Sequence, residues 1–330
     1  MMDAQTQPPT LAGSGDDRSG AIIACAIVSL AIAAIAVAAR FYTRSVIVRV
    51  LAAEDWFVLA AWVFAIGNAV GIIMQAKSTL GRHTWTLTPE DFLYSGRASW
   101  MGTLFYQLSL ACSKISLILL YIQVLTYNYA RRAAYAMLAI VVLYNVAGFV
   151  STMTLCIPIQ AMWDPTVHGT CHIDPRFMWL FIGFHIGTDF LIFLLPIPVV
   201  LRMTVPLGQK LMLLFIFALG LLICLISVLR AVWIKALFES PDPAWDFVAV
   251  VNWNSIEVNT AIVCVCLLVT RPLFSKLRHK IWPQSATLSQ SEGSVIDRQR
   301  TVEMNNAQAN RAPVRLFQAS RESLCRQKGG

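Results

Sequence analysis

Charge is scarce in this sequence: only 13% of its 330 residues are Asp, Glu, Lys or Arg, while 57% are apolar. Soluble domains carry roughly 25% charged residues. So few charges cannot clothe a water-soluble surface of this size, which excludes a soluble enzyme, a disordered chain and a coiled coil. Paired cysteine motifs are missing too. The eight cysteines are scattered, without CxxC or metal-ligand spacing, so neither a disulfide framework nor a metal site is predicted. HExxH, GxSxG and GKS/T patterns are absent and the five histidines are dispersed, so no catalytic residue is expected and the chain reads as a non-enzyme. Residues 1–19 hold Asp3, Asp16 and Asp17 and no basic start leading into an apolar core. The first span is therefore expected to act as its own insertion signal. The net charge of +8 comes with no basic domain, which argues against nucleic acid and for anionic lipid headgroups as partners.

Long uncharged runs are abundant. Residues 21–39, 56–76, 133–163 and 211–229 carry no charge at all, and each is long enough to cross a bilayer as a helix. Adding the runs interrupted by single charges predicts an all-α membrane protein, a seven-transmembrane helix bundle over 20–275. Its spans are 20–40, 55–76, 98–123, 133–156, 177–202, 210–235 and 246–270. Helices follow because isolated strands leave backbone groups unsatisfied in lipid. Pro196 and Pro198 predict a kink or an early end to the fifth. In the first span, small residues four apart (Ser29/Ala33 and Ala34/Ala38) predict close helix packing.

Leaving the tail beyond 282 aside, eleven Lys and Arg residues fall in the loops on one side of this topology and six on the other. That bias puts the N-terminus outside and the C-terminus in the cytoplasm. Residues 1–19 then form a short disordered extracellular segment. In 271–282, Leu273, Phe274, Leu277 and Ile281 share one face, with Lys276, Arg278 and Lys280 largely off it. This predicts a short amphipathic helix on the inner leaflet, with those three cations at the membrane surface. Residues 283–330 are polar and read as a disordered cytoplasmic tail. A multi-pass protein of the plasma membrane is the expectation.

Four full charges fall inside the spans: Lys114, Asp189, Arg230 and Glu257. A charge facing lipid costs several kcal/mol, so two cations and two anions predict pairing inside the bundle. Depth along the helices allows Lys114 to pair with either carboxylate and puts Arg230 nearer the outside. His185 shares a face with Asp189. Asn252 and Asn259 lie on one stripe of the seventh span, away from Glu257. These seven residues are the candidate polar network or ligand cavity; a fixed network that only sets helix register is the alternative. Cys156 and Cys171 both fall on the outer, oxidising side and are a candidate disulfide over the cavity mouth.

Several segments together carry a family resemblance: ARFYTR (39–44), EDW (54–56), LGRH (80–83), KISLILLY (114–121), CIPIQAMW (156–163), TDFLIFLLPIP (188–198) and WNSIEVNTAIVCVCLLVTRPLF (253–274). In that order and spacing the chain resembles the fungal rhodopsin-like seven-helix family, which includes Pth11-like receptors. The resemblance implies the seven-helix fold, and a G-protein-coupled receptor sensing an unknown small ligand, with a heterotrimeric G protein as partner. A small-molecule or ion transporter, or an accessory membrane protein of a secondary-metabolite pathway, is the alternative. Residues 246–270 contain no lysine, so no retinal and no other cofactor is expected.

Overall fold

The uncharged runs fold into seven helices, each long and apolar enough to cross a membrane. They are α1 (Ser19–Tyr42), α2 (Ala53–Ser78), α3 (Pro89–Val124), α4 (Asn128–Met153), α5 (Pro175–Leu194), α6 (Leu207–Phe238) and α7 (Pro243–Val269). The computed structural model describes residues 18–270 apart from 126, 165, 172–173 and 198–206, and it does not describe the side chains of 175 and 207–217. The expected N-terminal segment through residue 17, the surface helix 271–282 with Lys276, Arg278 and Lys280, and the tail 283–330 lie outside the described residues.

Consecutive helices alternate in direction. We term the end where α1 begins proximal and the end where it finishes distal. A two-stranded ribbon, β1 (Cys156–Ile157) with β2 (Thr170–Cys171), lies between α4 and α5 at the proximal end.

α3 begins nine residues before the predicted 98, because Thr88 caps it. The Thr88 hydroxyl accepts from the Asp91 N–H, the Asp91 carboxylate accepts from the Thr88 N–H, and Pro89 occupies the first turn. α5 ends at Leu194, two residues before Pro196, which has no N–H to continue the helical hydrogen-bond ladder; residues 198–202 of the predicted span lie outside the described residues.

Small residues decide the closest packing. A Cβ on Gly71 would lie 2.9 Å from the Gly102 Cα, so α2 and α3 approach backbone to backbone. On α1 the buried face runs through Ile22, Ala26, Ala33, Val37 and Arg40, a three-to-four-residue period. Ser29 sits on this face, where its hydroxyl is 3.1 Å from that of Ser255 on α7. The predicted pair Ser29/Ala33 thus belongs to the interface. Ala34/Ala38 does not, since Ala38 is exposed. Large apolar side chains such as Ile35, Leu143, Val232 and Leu225 point outward, as lipid contact requires.

Candidate functional site

Midway along the bundle, α3, α5, α6 and α7 bring the four predicted charges together. Lys114 on α3 sits 3.0 Å from the Asp189 carboxylate on α5. Arg230 on α6 sits 3.2 Å from Glu257 on α7. All four are buried, at most 7% exposed. Their side chains lie on helix faces turned inward, where two opposite pairs cancel.

Polar neighbours complete the network. Lys114 Nζ also donates to Thr188 Oγ1 at 2.9 Å and to His185 Nδ1 at 2.9 Å. An ammonium group only donates, so Nδ1 is the acceptor and the imidazole proton belongs on Nε2. Nε2 faces Glu257 Oε1 at 3.2 Å, which makes His185 a neutral bridge from one pair to the other. Ser227 bridges them as well: its hydroxyl lies 3.0 Å from Asp189 and 2.8 Å from Glu257. Tyr106 donates to Glu257 Oε2 at 2.5 Å and accepts from Arg230 Nη1.

Ligand atoms of His185, Asp189 and Glu257 come within 4.8 Å of one another, a spacing suited to a cation. Both carboxylates are already neutralised by Lys114 and Arg230, however, and the His185 nitrogens are both engaged.

Proximal to the network a cavity of about 560 Å³ opens between α3, α4, α5, α6 and α7. Its floor is Tyr106, Lys114, His185 and Arg230; Tyr144, Phe177 and Phe181 form an aromatic wall. A second cavity of about 50 Å³ holds Asp189 and Glu257 in its lining. Both cations of the network line the larger space, Lys114 lining the smaller one as well, and neither Asp189 nor Glu257 lines the larger. Cys156 and Cys171 are joined in a disulfide across the β1–β2 ribbon. Leu155, next to Cys156, lines the cavity.

The asparagine stripe is a correction. Asn259 is buried against α1, where its amide donates to Ser29 Oγ at 3.1 Å and to Ser255 O at 2.9 Å. Asn252 is half-buried and does not line the cavity. The stripe packs on α1, whose small residues admit it, while Glu257 takes the inward position. Asn254, two residues on from Asn252, does line the cavity.

Sequence reasoning missed Tyr106 and Ser227, since a hydroxyl in a span carries no charge signal. It also missed a distal ion cluster. Arg40 Nε donates to Asp55 at 2.8 Å and its Nη1 to the Val265 carbonyl at 2.9 Å. Arg44 pairs with Glu54 at 2.7 Å, and Gln123 Nε2 also reaches Glu54. Arg40, Glu54 and Asp55 are fully buried, so α1, α2, α3 and α7 are tied together at this end. A π-helical turn, Thr43–Val48, carries Arg44 into place. By sequence, Arg40 and Arg44 are two of the eleven loop cations on the inner side. The signal was two arginines and two acids flanking one short connection.

At the proximal end His83 stacks between Trp85 and Trp245, with 4.4 Å between ring centroids on each side. Its Nδ1 lies 2.7 Å from Asp242, which also accepts from the Thr84 N–H at 3.1 Å and the Thr84 hydroxyl. Burial pushes the Asp242 carboxyl up, but these hydrogen bonds outweigh it and hold the group below the usual carboxylate range. Arg18 lies over Trp245 at 4.2 Å. The connection after α2, the start of α7 and the residue before α1 thus form one cap.

The fungal rhodopsin domain profile matches residues 39–276. A "Polyenoic acids biosynthesis gene cluster protein Ba17b" of Metarhizium anisopliae is 28% identical, over 73% of this chain and 70% of the relative. "Receptor GIN3" of Arthrobotrys oligospora is 23% identical, over 77% of this chain and 62% of the relative. A "SAT4 family membrane protein" of Emericella nidulans is 26% identical, over 68% and 56% respectively. The chain thus spans less than two thirds of the length of the latter two. No solved structure matches it.

Proposed function

The chain belongs to the fungal rhodopsin domain family, and from that membership we propose that it is a seven-helix receptor that takes a small ligand into the cavity above its ion network. The observation that carries the reading is the shared floor. The side chains a ligand would touch, Tyr106, Lys114, His185 and Arg230, are the same ones that tie α3, α5, α6 and α7 together. An occupant that binds one arrangement of those helices better than another shifts their populations by its differential affinity. Binding, not catalysis, is the proposed role, since both buried carboxylates are held by cations.

The family's name implies retinal, which is held by a lysine Schiff base. The residues here do not fit it. α7 contains no lysine, and Lys114 on α3 is engaged by Asp189, His185 and Thr188.

The proposed orientation places the proximal end outside and the distal end in the cytoplasm. The disulfide at the proximal end suits an oxidising compartment, and the Lys/Arg bias suits a distal cytoplasmic face. A G protein is the proposed partner at the distal end, and the plasma membrane the proposed site. The relative named a receptor supports this reading. The relative named as a biosynthesis gene cluster protein favours a second one, a transporter or accessory protein of a metabolite pathway.

The test is nucleotide exchange on the host's Gα subunits by purified protein in lipid nanodiscs, with and without host extracts. Extract-dependent acceleration that Gly148→Leu abolishes supports the receptor; a Cβ at Gly148 meets the Phe181 ring at 3.6 Å, so a larger side chain there obstructs the cavity. No exchange on any Gα by folded protein removes the receptor in favour of uptake.

A further inference from the structure

The cavity's own walls specify the chemistry of what it takes. Lys114 and Arg230 line it, Lys114 bordering the small pocket as well, whereas Asp189 and Glu257 line only that small pocket. Across the site the charges balance. A ligand nonetheless meets the cations first, and Coulomb interaction falls with distance, so the nearer charges dominate in a medium of low dielectric. One carboxylate does line the cavity, Asp174, but it is exposed at the mouth and caps α5 by accepting from the Arg176 N–H at 2.9 Å.

The walls are of another character. Leu110, Leu155, Phe177, Met178, Phe181 and Ile182 give an apolar and aromatic surface, and Thr103, Gln107, Asn145, Ser151, Thr152, Thr154 and Asn254 set hydroxyl and amide groups beside it. The space of about 560 Å³ is of the size that holds small organic ligands.

The geometry points to a small amphipathic organic anion, a carboxylate on an apolar chain or ring system, as the ligand. Its head group lies on Arg230 and Lys114 and its body along the aromatic wall of α4 and α5. This inference rests on the reading of the cavity as a ligand site and deepens it. A guanidinium accepts a carboxylate through a two-pronged contact. The arriving head group therefore competes with Glu257 for Arg230 and loosens the pair that joins α6 to α7. Ligand charge and helix rearrangement are thereby one event.

The test uses the full chain in lipid nanodiscs and three length-matched probes: sodium octanoate, octan-1-ol and octylammonium chloride. The readouts are the thermal midpoint and tryptophan fluorescence as functions of probe concentration. Octanoate is expected to raise the midpoint saturably, and the alcohol and the ammonium are not. Gly148→Leu, which leaves every charge of the floor in place, is expected to remove the octanoate response. Arg230→Lys keeps the charge but not the fork, and is expected to weaken octanoate binding by about tenfold or more. Equal responses to all three probes, no response to octanoate, or an octanoate response that survives Gly148→Leu each overturn the proposal. Gα exchange separates it from the receptor reading. Saturable octanoate binding without exchange upholds the anion site and removes the receptor. Exchange driven by extract, with no octanoate binding, does the reverse.

Discussion

Replacing Glu257 by Gln changes almost no volume and removes one charge. Its consequence follows from what the carboxylate holds: Arg230 at 3.2 Å, the Tyr106 hydroxyl at 2.5 Å, the Ser227 hydroxyl at 2.8 Å and His185 Nε2 at 3.2 Å. Both groups are buried, Glu257 2% exposed and Arg230 7%. Removing one member of a buried pair costs about 3–5 kcal/mol, because the other charge is left uncompensated. Domain stabilities are only about 5–15 kcal/mol, and the thermal midpoint should fall by roughly 6–20 °C. Arg230→Met carries a similar cost for the same reason. The double variant strands no charge. Its cost should resemble one single variant, about 3–5 kcal/mol, and not the sum of roughly 6–10. Thermal unfolding of the four proteins in nanodiscs closes the cycle. Single-variant costs that add to within about 0.5 kcal/mol would refute the pairing.

Asp55→Asn strands the fully buried Arg40 at the distal end and should also cost about 3–5 kcal/mol; because Arg40 also holds the Val265 carbonyl, hydrogen exchange should quicken at the end of α7. Cys156→Ser opens a disulfide spanning 15 residues and should lower stability by up to about 3 kcal/mol in the chain-entropy account, read as a thermal shift that reducing agent reproduces in the wild type. Asp242 is held below its usual range, so its contribution to the proximal cap is present above the ordinary carboxylate value of about 4 and is lost as pH falls through the lower folded value. Fluorescence from the Trp85 and Trp245 stack should hold steady down to about pH 4 and change below it; Asp242→Asn should abolish that step.

The seven spans were legible because the bilayer demands long uncharged runs, and four such runs stand in the sequence without interruption. Helix ends were less so. Hydropathy is blind to capping, and the nine added residues of α3 rest on Thr88, Pro89 and Asp91, a signal that is present but polar. The inward charges were legible from their cost in lipid. Their partners were not, because Lys114 was equally compatible with either carboxylate until helix rotation placed Asp189 beside it. Helix rotation also separates Glu257 from the asparagine stripe. A period of 3.6 residues says that the two faces differ and not which one looks inward. The distal cluster was hidden for another reason. Arg40 and Arg44 have the sequence profile of loop cations, and their burial depends on Glu54 and Asp55 folding back across one short turn.

Density in the cavity tests the central claim most directly. The measurement is an electron cryo-microscopy map of the full chain, purified from its host in lipid with a bound antibody fragment. The account predicts an occupant whose head group contacts Arg230 and whose body runs along Phe177 and Phe181. Lys114 should stay on Asp189, and the separation of Arg230 from Glu257 should exceed 3.2 Å. A map in which Tyr144 and Phe181 close the space over an intact Arg230–Glu257 pair, in protein that still drives Gα exchange with extract, would contradict it.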